Sequence, residues 1–236
     1  MQIHSEFLVL MHKLMVRHKI LSLSGESGTG KTTFALQMVG NFLTHTYPFE
    51  ECCIWVQASE IFPIRRFSRV FDNSLDKYNY LQKNILITPF NTTLNNYKNQ
   101  SEFLTNFINE LTILPPNLRY IVVDNISHHL RFEISKYKDI KLITSLIDDF
   151  YEFQLMPLIM FCQREGICLL LIHEVSYDPN SGQNRTFLYK LYDRVNTIKI
   201  ELSNRCNNRN KSMKILFKDY SWMFDYALQH NGLVTL

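Results

Sequence analysis

Gly25-Glu26-Ser27-Gly28-Thr29-Gly30-Lys31-Thr32 satisfies the spacing G-x-x-x-x-G-K-[ST] at every position. Small residues in such a loop let successive backbone N–H groups curl around phosphate oxygens. Lys31 then reaches the β- and γ-phosphates, and the Thr32 hydroxyl is a ligand for Mg2+. A helix opening through Thr33 turns its positive N-terminus to the anion. Asp124 ends the apolar run 120–124, where a strand-end carboxylate holds the same Mg2+. Glu60 follows a second apolar run, in Ala58-Ser-Glu-Ile-Phe-Pro-Ile-Arg-Arg66. A carboxylate beside the γ-phosphate orients the attacking water. Alternatively, Ser59 and Glu60 simply cap the helix that follows. The chemistry implied is the binding of a nucleoside triphosphate, taken to be ATP, with Mg2+.

These residues need a frame. Short apolar runs at 19–24, 52–57, 84–88, 120–124 and 167–172 read as strands. Helical spacing marks 32–43 and 101–114, the latter with Phe103, Phe107, Leu111 and Leu114 on one face and stopped by Pro115 and Pro116. Residues 141–161 read as helix with a kink or break at Pro157. Runs at 197–202, 212–217 and 222–226 follow without intervening helices, as an antiparallel meander would. Continuous apolar strands separated by helices imply a mostly parallel sheet covered on both faces. The predicted fold is therefore α/β, a single domain over residues 1–236 with an antiparallel C-terminal extension.

Composition sets the remaining limits. Of the 236 residues, 46% are hydrophobic and 20% charged, which excludes disordered, collagenous and coiled-coil classes. A net charge of +3 permits nucleic-acid binding without arguing for it. Five cysteines with no C-x-x-C pair fit buried thiols in a reducing compartment. His4, Glu6, His12 and Lys13 interrupt any N-terminal leader. Gln163, Arg164 and Glu165 break the apolar stretch 155–175, which is too short on either side to span a bilayer. The expectation is a soluble, intracellular protein without membrane association. His128, His129, Cys168 and His173 lack the spacing of a zinc site.

The phosphate loop, the Ser59-Glu-Ile-Phe-Pro-Ile-Arg-Arg-Phe67 segment, the Asp124-to-Glu133 segment and the strand end at 170–175, in this order, resemble the RecA/RadA recombinase family. The likeness covers residues 21–217 and is nearest to the eukaryotic recombinase paralogues that act as recombination mediators, with the archaeal RadB type more distant. It implies a RecA-like core, Glu60 as the catalytic base, and Gly25 to Thr33 with Asp124 as the Mg-ATP site. It further implies a nuclear role in homologous-recombination repair. The partners would be a second paralogue in a heterodimer, the main recombinase and single-stranded DNA. A DNA-dependent ATPase or motor, or another RecA-like signalling ATPase, is the alternative.

Three departures stand out. The phosphate loop begins 25 residues in, so the family's N-terminal helical domain is expected to be absent. The family's Asn-Gln-Val reads His173-Glu174-Val175, placing a carboxylate where a glutamine senses the γ-phosphate. Residues 176–194 stand where the family has its second DNA-binding loop. They mix Arg185, Lys190 and Arg194 with Phe187, Tyr189 and Tyr192, and a plain surface loop is the alternative. His129, Arg131 and Lys136 fall in the first such loop. Arg205, Arg209, Lys211 and Lys214 form the densest basic cluster.

Overall fold

A computed structural model describes residues 5–17, 19–45, 50–109, 113–179, 182–204 and 211–236. In chain order these form α1 (Ser5–Arg17), β1 (Ile20–Gly25), α2 (Lys31–His45), β2 (Cys52–Gln57), α3 (Ile64–Phe71), α4 (Leu75–Asn84) and β3 (Ile85–Thr88). Next come α5 (Tyr97–Ile108), β4 (Leu118–Asp124), α6 (His128–Ile134), α7 (Ile140–Phe150), α8 (Met156–Glu165), β5 (Cys168–His173) and the pair β6 (Val175–Asp178) and β7 (Gln183–Thr186). The chain closes with α9 (Tyr189–Asp193), β8 (Ile198–Asn204), β9 (Lys211–Phe217), β10 (Tyr220–Gln229) and β11 (Gly232–Thr235).

Among the described residues one nine-stranded sheet runs β11-β10-β9-β8-β1-β5-β4-β2-β3. From β8 to β3 the pairing is parallel, and β8 to β11 form an antiparallel meander. The central strands β1, β2 and β5 are buried along almost their whole length because both faces are covered, and alternate residues serve opposite layers. Cys53, Trp55, Val122, Leu170 and Ile172 pack with α1 to α4. Cys52, Ile54, Val56, Ile121, Val123, Leu169 and Leu171 pack with α5 to α8.

The sequence pattern and the structure differ in instructive places. The helix expected at 101–114 starts at Tyr97, where the Asn96 side chain accepts from Asn99 N at 2.9 Å, and ends at Ile108; Leu111 lies outside the described residues. Pro157 does not break its helix. A π-helical turn (Tyr151–Leu155) joins α7 to α8, and Pro157 sits in the first turn of α8. A wider turn there relieves the clash between a proline ring and the preceding carbonyls. The N-terminal residues form α1, whose Phe7, Met11 and Met15 enter the core at a four-residue spacing. Strand β11 was not anticipated. Cys52, Cys53, Cys162 and Cys168 are free thiols; burial raises the pKa of each, that of Cys168 to about 11. Cys206 lies outside the described residues. No described helix is long and apolar enough to cross a membrane.

Candidate nucleotide-binding site

The C-terminal ends of β1, β5, β4 and β2 lie side by side, and the loops leaving them line a cleft of about 610 Å³. Ligands of open parallel sheets bind at this end. The phosphate loop leaves β1 under tight packing. A Cβ on Gly25 would come within 2.6 Å of Leu202 O, and Gly28 and Gly30 take φ values of +76° and +94°. Those positive angles suit glycine and little else. Thr29 Oγ1 donates to Glu26 O at 2.8 Å, and Tyr226 in β10 donates its hydroxyl to Thr29 O at 2.8 Å. Lys31 folds back over the loop, its Nζ donating to Gly25 O at 2.8 Å and Glu26 O at 3.1 Å. Burial lowers the Lys31 pKa, and the charges of Asp124, Glu174 and Glu60 oppose that shift.

Thr32 Oγ1 donates to Asp124 Oδ2 at 3.0 Å, across 92 residues of sequence. Burial raises the Asp124 pKa to about 6, against the Thr32 hydrogen bond and with help from the Glu60 charge. A buried carboxylate that bears its charge at a cost, touching a hydroxyl beside a phosphate loop, is a donor set suited to Mg2+. Thr32 and Asp124 would hold that ion. It would supply charge neutralisation for the bound phosphates.

Glu60 borders the same cleft and is exposed to it. It is not a helix cap, because α3 begins only at Ile64 and Pro63 makes no side-chain cap bond. Instead, Ala58 N and Ser59 N both donate to Asp124 O, at 2.8 and 3.2 Å, clipping the end of β2 to that of β4. Gln57, buried, donates to Pro89 O and Thr92 O and accepts from Phe62 N. Phe62 and Phe67 then bury against Trp55 and one another, so Glu60 is held between two anchored points.

Several cleft residues drew no site assignment from the sequence. Arg66 and Arg69 border it from α3. The pattern carried a signal for them: burying Phe67, Val70 and Phe71 leaves these arginines on the flank of the helix. Gln229 and His230 belong to the β10–β11 hairpin, and nothing in the sequence pointed to them.

Glu174, the departure at the end of β5, is turned onto His128 and Arg131. Its Oε1 lies 2.9 Å from His128 Nδ1 and its Oε2 accepts from Arg131 Nη1 at 3.0 Å. Burial pushes its pKa up, but these two partners outweigh that and hold it below the usual carboxylate range. It therefore stays ionised on the cleft wall. His129 is structural: it is buried, and its Nε2 donates to Ala58 O at 2.8 Å. Lys136 pairs with Glu133 at the surface. No zinc-like cluster occurs among the described residues.

The described residues of 176–194 form the paired strands β6 and β7 and the helix α9. Arg185 lies over the Tyr189 ring at 4.8 Å and 3.4 Å from Asp178, while Tyr177 is exposed. Tyr192 cannot stack on a ligand from its present position, being buried with its ring 4.3 Å from that of His173. In the basic cluster, Lys211 bonds Asn204 and Lys214 stands opposite Glu201; Arg205 and Arg209 lie outside the described residues.

No protein-family model matches the chain. Over 165 residues it is 28% identical to the DNA repair and recombination protein RadB of Pyrococcus furiosus. The match takes in 69% of this chain and 62% of that protein, so the chain spans less than two thirds of its relative. The crystal structure of the RadB recombinase superposes with a TM-score of 0.68 at 16% identity, over 92% of this chain and 90% of that one. The chain is RadB-like. It shares with RadB the mostly parallel sheet, the helices on both faces and the RecA-like architecture that the sequence led one to expect.

Proposed function

We propose that this chain is an ATP-binding accessory protein of recombinational DNA repair, built as one RecA-like core domain. It binds Mg-ATP through residues 25–33 and Asp124, and assists a recombinase on single-stranded DNA together with a second RecA-like chain. The resemblance to eukaryotic recombinase paralogues supports a nuclear setting. The observation that carries the nucleotide reading is the 3.0 Å contact between Thr32 Oγ1 and Asp124 Oδ2 beside the glycine loop. The likeness to a protein named for DNA repair and recombination supports the setting. An ionised Glu174 at the cleft argues for slow turnover, since a second carboxylate opposes the charge of the γ-phosphate.

A DNA-dependent ATPase is the second reading, favoured by the exposure of Glu60 to the cleft beside Asp124. Steady-state hydrolysis titrated with single-stranded DNA separates the two. The accessory reading expects ATP binding with little turnover at any DNA concentration, and turnover rising steeply with DNA would replace it with the ATPase. Lys31→Ala is expected to lose ATP binding in a folded protein. Unchanged affinity would remove the phosphate-loop assignment altogether.

A further inference from the structure

The cleft is longer than its phosphate end. Beside the phosphate loop it is also lined by the β10–β11 hairpin, which contributes Leu228, Gln229 and His230. That hairpin is fixed against the phosphate loop and α2. Tyr226, on the same strand, donates to Thr29 O at 2.8 Å. Gln37 of α2 grips Leu233 at both backbone atoms, its Nε2 donating to Leu233 O at 3.1 Å and its Oε1 accepting from Leu233 N at 2.8 Å. Gly232, at φ +128°, lies so close to Gln37 that an added Cβ would meet its amide nitrogen at 2.4 Å. Leu228 reaches over the phosphate loop, within 3.0 Å of where a Gly30 Cβ would stand.

We infer that this hairpin is the platform for the base of the bound nucleotide and sets its identity. The inference rests on the nucleotide reading above and names a recognition surface within that site. Leu228 and the His230 ring supply an apolar and a flat face for a heterocycle, and aromatic rings stack on bases of every kind. Gln229 presents an amide with donor and acceptor side by side. Adenine offers the matching pair at N6 and N7, whereas guanine offers two acceptors along the same edge. All three residues are exposed at the rim, so the surface is open to a ligand. The base and the phosphates are thus held by different parts of the chain, the base by the meander and the phosphates by the loop after β1.

This separation makes the test. Dissociation constants for ATP, GTP and inorganic tripolyphosphate, each with Mg2+, are measured on the full chain and on His230→Ala and Gln229→Ala. Wild type is expected to bind ATP more tightly than GTP. His230→Ala is expected to weaken ATP about tenfold, the scale of one lost base stack, and to leave tripolyphosphate unchanged. Gln229→Ala is expected to collapse the ATP/GTP ratio. Equal ATP affinity in His230→Ala, or an equal loss for tripolyphosphate, would overturn the base platform. Equal binding of ATP and GTP by wild type would overturn the role of Gln229. Failure of wild type to bind either ATP or tripolyphosphate would instead sink the nucleotide reading, and the platform with it.

Discussion

Glu26, inside the phosphate loop, accepts a hydrogen bond from Asn184 Nδ2 at 2.7 Å, and its second carboxylate oxygen accepts from Asn204 Nδ2 at 2.9 Å. These bonds, that from Asn184 foremost, lower its pKa and keep it charged. Asn184 belongs to β7, so the loop that would hold phosphates also holds the β6–β7 hairpin. Two further ties run the same way, Thr186 Oγ1 to Ser24 Oγ at 2.9 Å and Phe187 N to Glu174 O at 2.9 Å. Glu26→Ala removes one of these ties at a solvent-facing position, where a single bond is worth little. Amides of β6 and β7 are expected to exchange with deuterium about fivefold faster, while β1 and β5 keep wild-type protection. Unchanged exchange in the hairpin would mean that the Glu26–Asn184 bond does not restrain it.

His173 ends β5 fully buried, and neither ring nitrogen has a hydrogen-bond partner in the structure. Burial lowers its pKa to about 3. The unfolded chain takes up a proton at this residue near pH 6.5 and the folded chain only near pH 3. The unfolded state therefore binds more protons between these values, and stability falls as pH drops from about 6.5 towards 3. His173→Leu removes both that linkage and two unpaired polar atoms. Its urea midpoint is expected to equal or exceed wild type at pH 7 and to fall less between pH 6.5 and 4. Parallel acid profiles would assign the acid sensitivity to other groups, such as Glu174.

The legible parts of this molecule were those with local causes. The phosphate loop reads from one octapeptide, and Asp124 from its place at the end of an apolar run. Strands β1, β2, β4 and β5 announce themselves because burial on both faces makes their runs predominantly apolar. What stayed hidden depends on contacts between distant segments. For Glu60 the sequence offered two readings, and the bonds from Ala58 and Ser59 to Asp124 that place its loop at the cleft join segments far apart in the chain. His230 is 199 residues from Lys31 along the chain and meets the cleft only because the meander folds back beside β1. Residues 176–194 look like a polar loop, since a two-stranded hairpin with one open face buries too little to show an apolar alternation.

Glu174 gives a prediction in which a change of charge is expected to improve binding. It is ionised at the cleft and spends that charge on His128 and Arg131. Glu174→Gln removes a negative charge that opposes phosphate and loosens Arg131, another residue of the cleft wall. ATP affinity at low salt is expected to rise several-fold, and the gain is expected to shrink as ionic strength screens the cleft. A lower affinity would mean that the carboxylate earns its place by holding Arg131 and His128 where the nucleotide needs them.

Glu60 and Asp124 are electrostatically linked, because the Glu60 charge helps raise the Asp124 pKa to about 6. Below that value Asp124 is protonated and a poor ligand for Mg2+, so the Mg2+-dependent part of ATP affinity is expected to fall as pH drops through about 6. Glu60→Gln takes away one cause of the raised value. Its acid limb is expected to shift to lower pH, and at pH 6 it is expected to bind Mg-ATP more tightly than wild type. Any residual hydrolysis is expected to disappear in the same variant, since an amide cannot accept the proton of the attacking water. The two readouts divide the roles: an unshifted acid limb would deny the coupling to Asp124, and undiminished turnover would deny that Glu60 is the base.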